Sequence, residues 1–331
     1  MGVLLMAVGG PNSLDDVEGF LKDVRHGRPT PKDLVEEFRG RYACIGGKSP
    51  LLEISRAQAR ALAARLHEHG ADYPCYVGMR NWHPYIRDVL PDIARDGIRR
   101  IVALCLTPYY SRMSVGAYFG ALREGLEARG LDLDVAYVES WNDEPALVEA
   151  YAAKIREGLE RLGIEGFEDP VVLFTAHSLP GRIMEEGDPY ERELAETREA
   201  VLRRLPEVRA RMAYQSAGRS EETWLGPALE DVLDELGKAG ERAVLVAPFG
   251  FVSDHVEILY DIDIEAKQRA AKWGTRFERT ESLNTDPRFI DAMARAVLSA
   301  APVRSPTGAP TSAAPAAPSS RPRSGSSDRT T

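Results

Sequence analysis

Short apolar runs alternate along the chain with longer stretches in which apolar residues recur every three or four positions. The first pattern is typical of buried strands and the second of amphipathic helices, so the alternation predicts parallel sheets covered by helices. The predicted strands are Val3 to Val8, Tyr73 to Gly78, Ile101 to Thr107, Leu133 to Tyr137, Val171 to Ala176, Arg211 to Gln215 and Ala243 to Ala247. The predicted helices are Asp15 to Val24, Ile54 to His69, Tyr85 to Asp96, Ala117 to Arg129, Pro145 to Leu162, Tyr190 to Leu205, Pro227 to Lys238 and Pro287 to Ala300. The last of these helices is predicted to begin at the N-cap Asp286.

One segment of the first half of the chain resembles one in the second half. VLLMAVGGP (Val3 to Pro11) and VLFTAHSLP (Val172 to Pro180) both read as an apolar strand, an alanine, a variable residue, two more residues and a proline. The repeat predicts two similar doubly wound α/β domains, residues 1–143 and 144–286, with a final helix 287–301 returning to the first. Val8 then occupies the place that His177 holds in the second half. Ligands bind beyond the carboxyl ends of such strands, so the two positions are expected to face a shared cleft.

Composition and charge exclude several classes of protein. The chain has 331 residues, 44% hydrophobic and 28% charged, with a net charge of −9, which is typical of a soluble globular protein. The acidic balance disfavours nucleic acid and anionic membranes as partners. No apolar run approaches the roughly 20 residues of a membrane helix, and the N-terminus lacks the features of a signal peptide. We therefore expect a cytoplasmic protein without an integral membrane segment, with a disordered tail over residues 302–331.

Two kinds of motif are missing from the sequence. Cys44, Cys75 and Cys105 are far apart and form no CxxC pair, so they are predicted to be small core residues rather than a zinc module or disulfide framework. No GxGxxG follows a strand, and IGGKSPL lacks the spacing of a phosphate loop, so a nucleotide-dependent enzyme is not expected.

The stretch FVSDHVEILYDIDIEA, residues 251–266, places five acidic residues among apolar ones. On a regular helix Asp254, Glu257, Asp261 and Glu265 share one arc beside an apolar face. A solvated helix face explains this strip, although like charges four residues apart destabilise a helix. A route for a hydrated divalent cation explains it too, because carboxylate oxygens bind such ions with their waters.

His177 follows a strand that is apolar throughout and lies at the carboxyl edge of its predicted sheet. A histidine here is either a structural hydrogen-bonding residue or part of a site. With imidazole as the acceptor, the carboxylate strip would favour iron, zinc or nickel over magnesium and calcium. The arginines of a basic stretch, Arg25, Arg28 and Arg41, either bind the carboxylates of a ligand or lie in a solvated loop.

The chain also resembles a known family. The resemblance is carried by the motifs MAVGGP, RYACIGGKSPL, GMRNWHP, TPYYSRMS, TAHSLP, GDPY, YQSAGRSEETWLGP and APFGFVSDHVEILYDIDIEA. From Val3 to about Leu298 the chain resembles the ferrochelatases, which insert ferrous iron into a porphyrin in haem biosynthesis. The resemblance implies a chelatase-like fold of two domains with the porphyrin held in the cleft between them.

The resemblance also implies a set of functional residues. His177 and Glu257 would be the central catalytic pair that meets the metal and the pyrrole nitrogens, and Asp261 and Glu265 would continue as an outer metal path, with Arg41 near its end. Positions that match porphyrin contacts are Val8, Arg25, Arg41, Tyr42, Ser49 and Tyr118. The resemblance gives no role to Asp254 or Asp263. From their places on the helix we expect Asp254 to brace the helix start as an N-cap and Asp263 to be solvated.

The porphyrin is predicted to be coproporphyrin III, with protoporphyrin IX as the alternative. The segment FLKDVRHGRPTPKDLVEEF is short and charged, as in the soluble coproporphyrin III enzymes of Gram-positive-type bacteria, and four propionates suit arginines. Val8 and GMRNWHP argue the other way, because the coproporphyrin enzymes usually carry tyrosine where this chain has Val8. No cysteine follows Cys105, so no iron–sulfur cluster and no other cofactor is expected.

Two further interpretations remain open at the level of sequence. The chain could be a non-catalytic tetrapyrrole- or metal-binding protein that kept the cleft, or a related chelatase for another divalent metal. Retention of both His177 and Glu257 favours the enzyme. A monomer is expected, with porphyrin and ferrous iron as its substrates.

Overall fold

The structure is a computed structural model that describes residues 1–163, 170–218 and 221–301. Its strands are β1 (Gly2–Ala7), β2 (Cys75–Met79), β3 (Arg100–Cys105), β4 (Asp134–Val138), β5 (Val171–His177), β6 (Arg209–Gln215), β7 (Ala243–Ala247) and β8 (Arg276–Arg279). Its α-helices are α1 (Val17–Val24), α2 (Lys32–Cys44), α3 (Leu51–Glu68), α4 (Ile86–Arg95), α5 (Val115–Arg129), α6 (Pro145–Leu162), α7 (Arg182–Glu185), α8 (Tyr190–Leu202), α9 (Leu229–Lys238), α10 (Val256–Leu259), α11 (Lys267–Lys272) and α12 (Pro287–Ala300). A 3-10 turn (Leu14–Asp16) precedes α1, and a π-helix (Asp261–Ala266) joins α10 to α11.

The strands form two four-stranded parallel sheets with the same connectivity. The first has the order β2-β1-β3-β4 and the second the order β6-β5-β7-β8. Each sheet therefore has its first strand inside and its second at an edge, which is the doubly wound arrangement. This confirms the predicted α/β fold of two similar halves.

Alternate residues of each central strand pack on opposite faces, because side chains in a strand alternate sides. Val172 and Phe174 of β5 belong to a large core that also contains residues of β1, β3, α3, α6 and α12. Val171 and Leu173 face the other way, against α9 and the segment from Ile258 to Ala270. The final helix α12 packs on α3, α6 and the strands β3 and β4. Residues 1–301 form one compact unit, so the domain boundaries at 143 and 286 stay predictions.

The predicted strands are present with ends shifted by at most two residues, and the predicted helices with ends shifted by at most three. Several elements were missed, including the short helices α7 and α11 as well as β8 and α2. Strand β8, RFER, is short and carries three charged side chains among its four residues, so it lacks an apolar run. Helix α2 lies in the stretch that was considered a possible solvated loop; its first turn follows Pro31, and only Val35 and Tyr42 are buried.

Two other local predictions were tested by the structure. Asp286 caps α12 as expected, since its Oδ1 accepts a hydrogen bond of 2.9 Å from the backbone N of Arg288.

The prediction for the cysteines was right only in part. Cys105 is buried and Cys75 half-buried, but Cys44 is exposed at the end of α2, in the helix that the sequence did not predict. In the described ranges, no helix is both long and apolar enough to cross a bilayer. The predicted disordered tail lies outside the described residues.

Candidate active site

His177 lies at the carboxyl end of β5, where the buried strand opens into a cavity of about 270 Å³. Its Nδ1 lies 2.5 Å from the backbone oxygen of Ser178, and its own backbone oxygen accepts a 3.1 Å hydrogen bond from the hydroxyl of Tyr190. A carbonyl oxygen can only accept, so the proton of neutral His177 lies on Nδ1. The Nε2 lone pair is therefore directed away from the strand and is available for chemistry.

Glu257 faces His177 from the first turn of α10, with its Oε2 3.7 Å from Nε2 of the histidine. Gln215, at the end of the neighbouring strand β6, donates a 2.8 Å hydrogen bond to the backbone oxygen of Glu257. Both site residues thus depend on adjacent strands of the second sheet. The side chains of His177 and Glu257 are 34% and 31% exposed, so each is open to a ligand in the cavity.

A second histidine, His255, lies on the other side of the same carboxylate. Its Nε2 is 3.6 Å from Oε2 of Glu257, and its Nδ1 lies 3.0 Å from the backbone oxygen of Ser253. By the argument used for His177, the neutral ring carries its proton on Nδ1. Two imidazole lone pairs and one carboxylate therefore converge with no donor between them. Such a group of acceptors is stabilised when it binds a proton.

The pKa values of Glu257 and His255 shift in the directions that their mutual charge interaction requires. Burial would raise the pKa of Glu257, but the neighbouring His177, His255 and Arg41 lower it to about 2. Burial would lower the pKa of His255, yet hydrogen bonding and charge interaction with Glu257 raise it. Glu257 is therefore ionised at neutral pH, and its charge favours a proton on the adjacent imidazole.

The cavity walls come equally from both halves of the chain. The lining residues are Ala7, Val8, Leu51, Arg80, Leu106, Thr107, Met113, Ser114, Tyr118, His177, Leu179, Tyr190, Gly250, Phe251, Val252, Ser253, His255 and Glu257. Val8 and His177 both line it, as the repeat in the sequence predicted. Most of the wall is apolar, and the acid and base groups lie on one side. A largely apolar ligand that carries polar groups fits this lining.

Arg80 supplies the positive charge of the cavity and was not selected from the sequence. It follows strand β2, and its guanidinium lies 5.9 Å from the ring centroid of Tyr118. Burial raises the pKa of Tyr118, which stays a neutral phenol. Within the described residues Arg80 has no ion pair with a carboxylate, so its charge is available to an anionic ligand. Its place in GMRNWHP, directly after a strand, was a signal that could have identified it.

Asp261 is the next carboxylate beyond Glu257 and is 8% exposed. Arg41 donates to its Oδ1 at 3.0 Å, and Ser216 donates to its Oδ2 at 2.8 Å. Burial, together with the charges of Glu257 and Glu265, raises the pKa of Asp261 to about 6 against the opposing effect of these partners. Glu265 is exposed at the far end of the π-helix. The carboxylates of Glu257, Asp261 and Glu265 thus run from the cavity to the surface. They lie on a short α-helix and a π-helix instead of the regular α-helix that the sequence analysis assumed.

The predicted porphyrin contacts fall into three groups. Val8 and Tyr118 line the cavity. Arg41 instead forms ion pairs with Glu37 and Asp261, each at 3.0 Å. Three positions do not line it: Arg25 at the end of α1, and the buried Tyr42 and Ser49. A Cβ on Gly10 would lie 2.5 Å from Oγ of Ser49, so Ser49 packs directly behind the GGP loop.

Two minor predictions about acidic residues were wrong. Asp254 does not cap α10, whose N-cap is His255; its carboxylate instead accepts hydrogen bonds from Ser282 and Asn284. Asp263 is not simply solvated, because Arg279 donates to both of its oxygens at 2.7 and 2.9 Å. All three partners lie on β8 or just after it, a region with no predicted element.

A preassembled metal cluster is absent from the part of the chain that the structure describes. No group of three or more His, Cys, Asp and Glu side chains there could hold a metal ion. Glu257, Asp261 and Glu265 succeed one another along the segment instead of surrounding a point.

Two solved structures share the architecture described above. SirB from Bacillus subtilis, in a structure with Fe3+, matches with a TM-score of 0.56 at 13% identity, over 91% of this chain and 96% of SirB. CbiX, the terminal enzyme for siroheme biosynthesis in denitrifying bacteria, matches with a TM-score of 0.53 at 12% identity, over 91% of this chain and 100% of CbiX. At these identities the likeness concerns the fold alone, which is that of the chelatases.

Similarity of sequence narrows the class further. The ferrochelatase family model matches residues 1–301. A ferrochelatase of Deinococcus radiodurans is 42% identical over 90% of this chain and 95% of its own length. A coproporphyrin III ferrochelatase of Geobacillus thermodenitrificans is 36% identical over 90% of this chain and 95% of its own length. The chain therefore belongs to the ferrochelatase family.

Proposed function

We propose that this protein inserts ferrous iron into coproporphyrin III, with release of two protons, as a step of haem biosynthesis. One observation carries the proposal most directly: Nε2 of His177 and Nε2 of His255 lie 3.7 and 3.6 Å from the same oxygen of Glu257, on the wall of an otherwise apolar cavity. Metallation of a porphyrin requires a base at the centre of a flat apolar ring, and a ring bound in this cavity would have the group within reach.

The proton chemistry follows from the hydrogen bonds of the two imidazoles. A free porphyrin carries two N–H protons that must leave before the four nitrogens can bind the metal. His177 presents a lone pair to the cavity and accepts one proton, while the negative Glu257 stabilises the imidazolium that forms. The second proton passes to Glu257 or to His255 behind it. The apolar walls exclude water, which strengthens these charge interactions.

The strip of carboxylates provides an approach for the iron substrate. Glu265 is exposed, Asp261 is buried, and Glu257 lies on the cavity wall, so negative charge extends from solvent to the base. Ferrous iron accepts both oxygen and imidazole ligands, and successive carboxylates can replace its waters in turn. Arg41 is paired with Asp261 at 3.0 Å. Its positive charge weakens cation binding in the middle of the strip, so the iron does not stay bound there.

Charge and relatives support coproporphyrin III over protoporphyrin IX. Arg80 is placed to bind a propionate, and charge-assisted bonds of this kind add substantially to affinity. The short charged segment around α1 and α2 contains several further arginines and lysines. Relatives from Geobacillus at 36–37% identity are named coproporphyrin III ferrochelatases. Val8, which has no donor atom, remains the feature that argues for protoporphyrin IX.

The test is a comparison of anaerobic turnover of the full chain on the two porphyrins. We expect kcat/KM for Fe2+ insertion to be at least about tenfold higher with coproporphyrin III, roughly the effect of one or two additional charged hydrogen bonds. A preference for protoporphyrin IX would reverse the substrate assignment. Binding of both porphyrins without metallation would favour a non-catalytic binding protein, and faster insertion of cobalt or nickel would favour a chelatase for another metal.

Location and assembly complete the proposal. We place the enzyme in the cytoplasm as a monomer, since 28% of its residues are charged and both halves of the cavity come from one chain. Sedimentation of the purified protein at micromolar concentration is expected to give a mass near 36.5 kDa. A concentration-dependent dimer would overturn the monomer.

A further inference from the structure

The segment that carries Glu257 has little regular structure of its own. Helix α10 has four residues, and the π-helix that follows has six. A π-helix is rare and is found mostly as a short insertion at functional sites. With so few repeating hydrogen bonds, the direction of Glu257 depends on contacts that hold the segment from outside.

One side of the segment is held by apolar packing. Ile258, Ile262 and Ala266 are buried in the core under the second sheet, against α9 and β7. Such packing is non-directional, so it favours burial of this side without fixing the rotation of the segment. Polar contacts elsewhere must supply the direction.

Arg279, on the edge strand β8, contacts the segment at two points nine residues apart. Its Nε and Nη2 donate to the two oxygens of Asp263 at 2.7 and 2.9 Å, and its Nη1 lies 3.5 Å from Oδ1 of Asp254. Asp254 precedes Glu257 in the chain and Asp263 follows it. A planar guanidinium with fixed donors therefore joins the two ends of the segment to the sheet.

The contact at Asp254 is reinforced by the residues that follow β8. Ser282 donates to its Oδ1 at 2.7 Å and Asn284 to its Oδ2 at 2.8 Å, while the backbone N of Asp254 donates to Oδ1 of Asn284 at 3.0 Å. Asn284 has a φ of 41°, a conformation that non-glycine residues adopt uncommonly. Every oxygen of the carboxylate thus has a directed partner.

Arg279 does not line the cavity, and its side chain is only 14% exposed. It therefore cannot touch a porphyrin in the cavity, and it is not a catalytic residue. Its effect on the reaction would pass through the position of Glu257 and of His255, which lies between Asp254 and Glu257.

We propose that Arg279 is a positioning residue for iron insertion, which fixes Glu257 against His177 by clamping Asp254 and Asp263 to strand β8. The inference rests on the proposed function, since it assigns Arg279 to the same reaction. A displacement of a reacting group by about 1 Å can cost about 100-fold in rate, so loss of the clamp should reduce kcat strongly. Porphyrin binding, for which we propose Arg80 and the apolar walls, should change little.

The test compares Arg279→Met with a matched control, Arg269→Met. Arg269 makes the same kind of two-oxygen pair in the same half of the chain, with Asp234 at 2.9 and 2.5 Å, but its ion pair is with neither Asp254 nor Asp263. Both variants lose one bidentate ion pair, and Arg279→Met also loses the contact with Asp254, so its unfolding midpoint should fall further. At a temperature well below both unfolding midpoints, we expect kcat of Arg279→Met to fall by about 30- to 100-fold with KM for porphyrin changed less than about threefold. Arg269→Met should keep the wild-type kcat.

Two additional variants separate position from folding and charge. Arg279→Met leaves two carboxylates without their cation, so the double variant with Asp263→Asn removes one uncompensated charge; it should regain stability while kcat stays low. Arg279→Lys keeps the charge without the planar fork, and kcat should recover only in part. Full recovery with lysine, or equal kcat in Arg279→Met and Arg269→Met, would overturn the positioning role.

Hydrogen exchange gives a readout that does not depend on turnover. Amides of residues 254–266 should exchange faster in Arg279→Met than in wild type, and Arg269→Met should leave their exchange unchanged. Unchanged exchange in Arg279→Met would contradict the clamp even if the enzyme were active. A wild-type protein that bound porphyrin without inserting iron would instead contradict the proposed function, and the exchange result would still decide whether Arg279 holds the segment.

Discussion

The two sheets have the same strand order, yet their edges at the cavity carry different chemistry. Beyond β1 the first sheet presents Val8, and at the end of β5 the second presents His177. Every His or Glu that lines the cavity comes from the second half of the chain, whereas its arginine, Arg80, comes from the first. A duplicated framework can thus divide its tasks: in the mechanism we propose, one edge supplies a base and the other a wall and a charge for the substrate.

Replacing the base should have the largest effect. In His177→Ala we expect kcat for iron insertion to fall by at least about 100-fold, in the range typical for loss of a general base, while the Kd for porphyrin changes less than about threefold. Fluorescence quenching measures the binding and anaerobic absorbance the insertion. Near-normal turnover would remove His177 from the mechanism.

The difference between the two sheet edges can be tested in the His177→Ala variant by moving the imidazole from the second sheet to the first. The double variant His177→Ala, Val8→His places a histidine on the equivalent edge of the first sheet, where Val8 also lines the cavity. We expect no recovery of turnover, because the charge that stabilises the imidazolium stays on the second sheet. Recovery would show that the two edges are interchangeable.

Arg80 tests the substrate side of the comparison. In Arg80→Met we expect KM for coproporphyrin III to rise about 10- to 30-fold, the effect of one charge-assisted hydrogen bond, with KM for iron unchanged. Arg123→Met is the control, since Arg123 lies 6.0 Å from the ring centroid of Tyr137 much as Arg80 lies 5.9 Å from that of Tyr118, but outside the cavity. If the KM for coproporphyrin III rose equally in the two variants, Arg80 would have only a structural role.

The outer carboxylates should affect iron more than porphyrin. In the double variant Asp261→Ala, Glu265→Ala we expect the KM for iron to rise about fivefold, a loss of about 1 kcal/mol, while the KM for porphyrin stays constant. Steady-state rates at varied Fe2+ concentration measure this. If the KM for iron were unchanged, the two carboxylates would have no role in the approach of the iron.

The last prediction concerns stability, which should depend on pH through Asp261. The folded-state pKa of Asp261 is raised from 3.8 to about 6, so the folded protein loses stability as pH rises through this window. The cost at neutral pH is roughly 3 kcal/mol, at 1.36 kcal/mol per pKa unit. Asp261→Asn removes it, so this variant should melt a few degrees above wild type near pH 8, and the gap should close near pH 4.

Asp234 provides a control of opposite sign. Its pKa is lowered to about 2 by Arg269 and Trp273, so its contribution is present above 3.8 and lost as pH falls through about 2. Asp234→Asn should therefore melt below wild type near pH 8. Thermal melts that shift in the same direction for both variants would contradict the electrostatic assignment of Asp261.

The regular parts of the fold were predictable because they depend on local pattern. The central strands are continuous apolar runs, and α6 and α12 begin at Glu144 and Asp286 with proline at the first position. Strand β8 was missed because its stability comes from pairing with β7 rather than from its own apolar residues. The π-helix could not be predicted from the spacing of apolar residues, because the extra residue in its turn depends on packing against the rest of the protein.

The central pair of the site was predictable from motif, and its surroundings were not. His177 and Glu257 were chosen from TAHSLP and FVSDHVE, and they lie within 3.7 Å. Arg41 and Asp261 are 220 residues apart in the chain, and their pairing depends on packing that no local pattern encodes. His255 lies within the same motif as Glu257, but its role is apparent only when its Nε2 is seen to face the carboxylate.

The most direct test of the central claim is a single-turnover reaction of the wild-type protein with coproporphyrin III and Fe2+ in weakly buffered, anaerobic solution. Absorbance reports the metalloporphyrin, and a pH indicator reports the protons released. The account predicts conversion of the bound porphyrin to its iron complex with two protons per ring. Porphyrin that binds and stays metal-free, with no proton release above that of the His177→Ala variant, would contradict it.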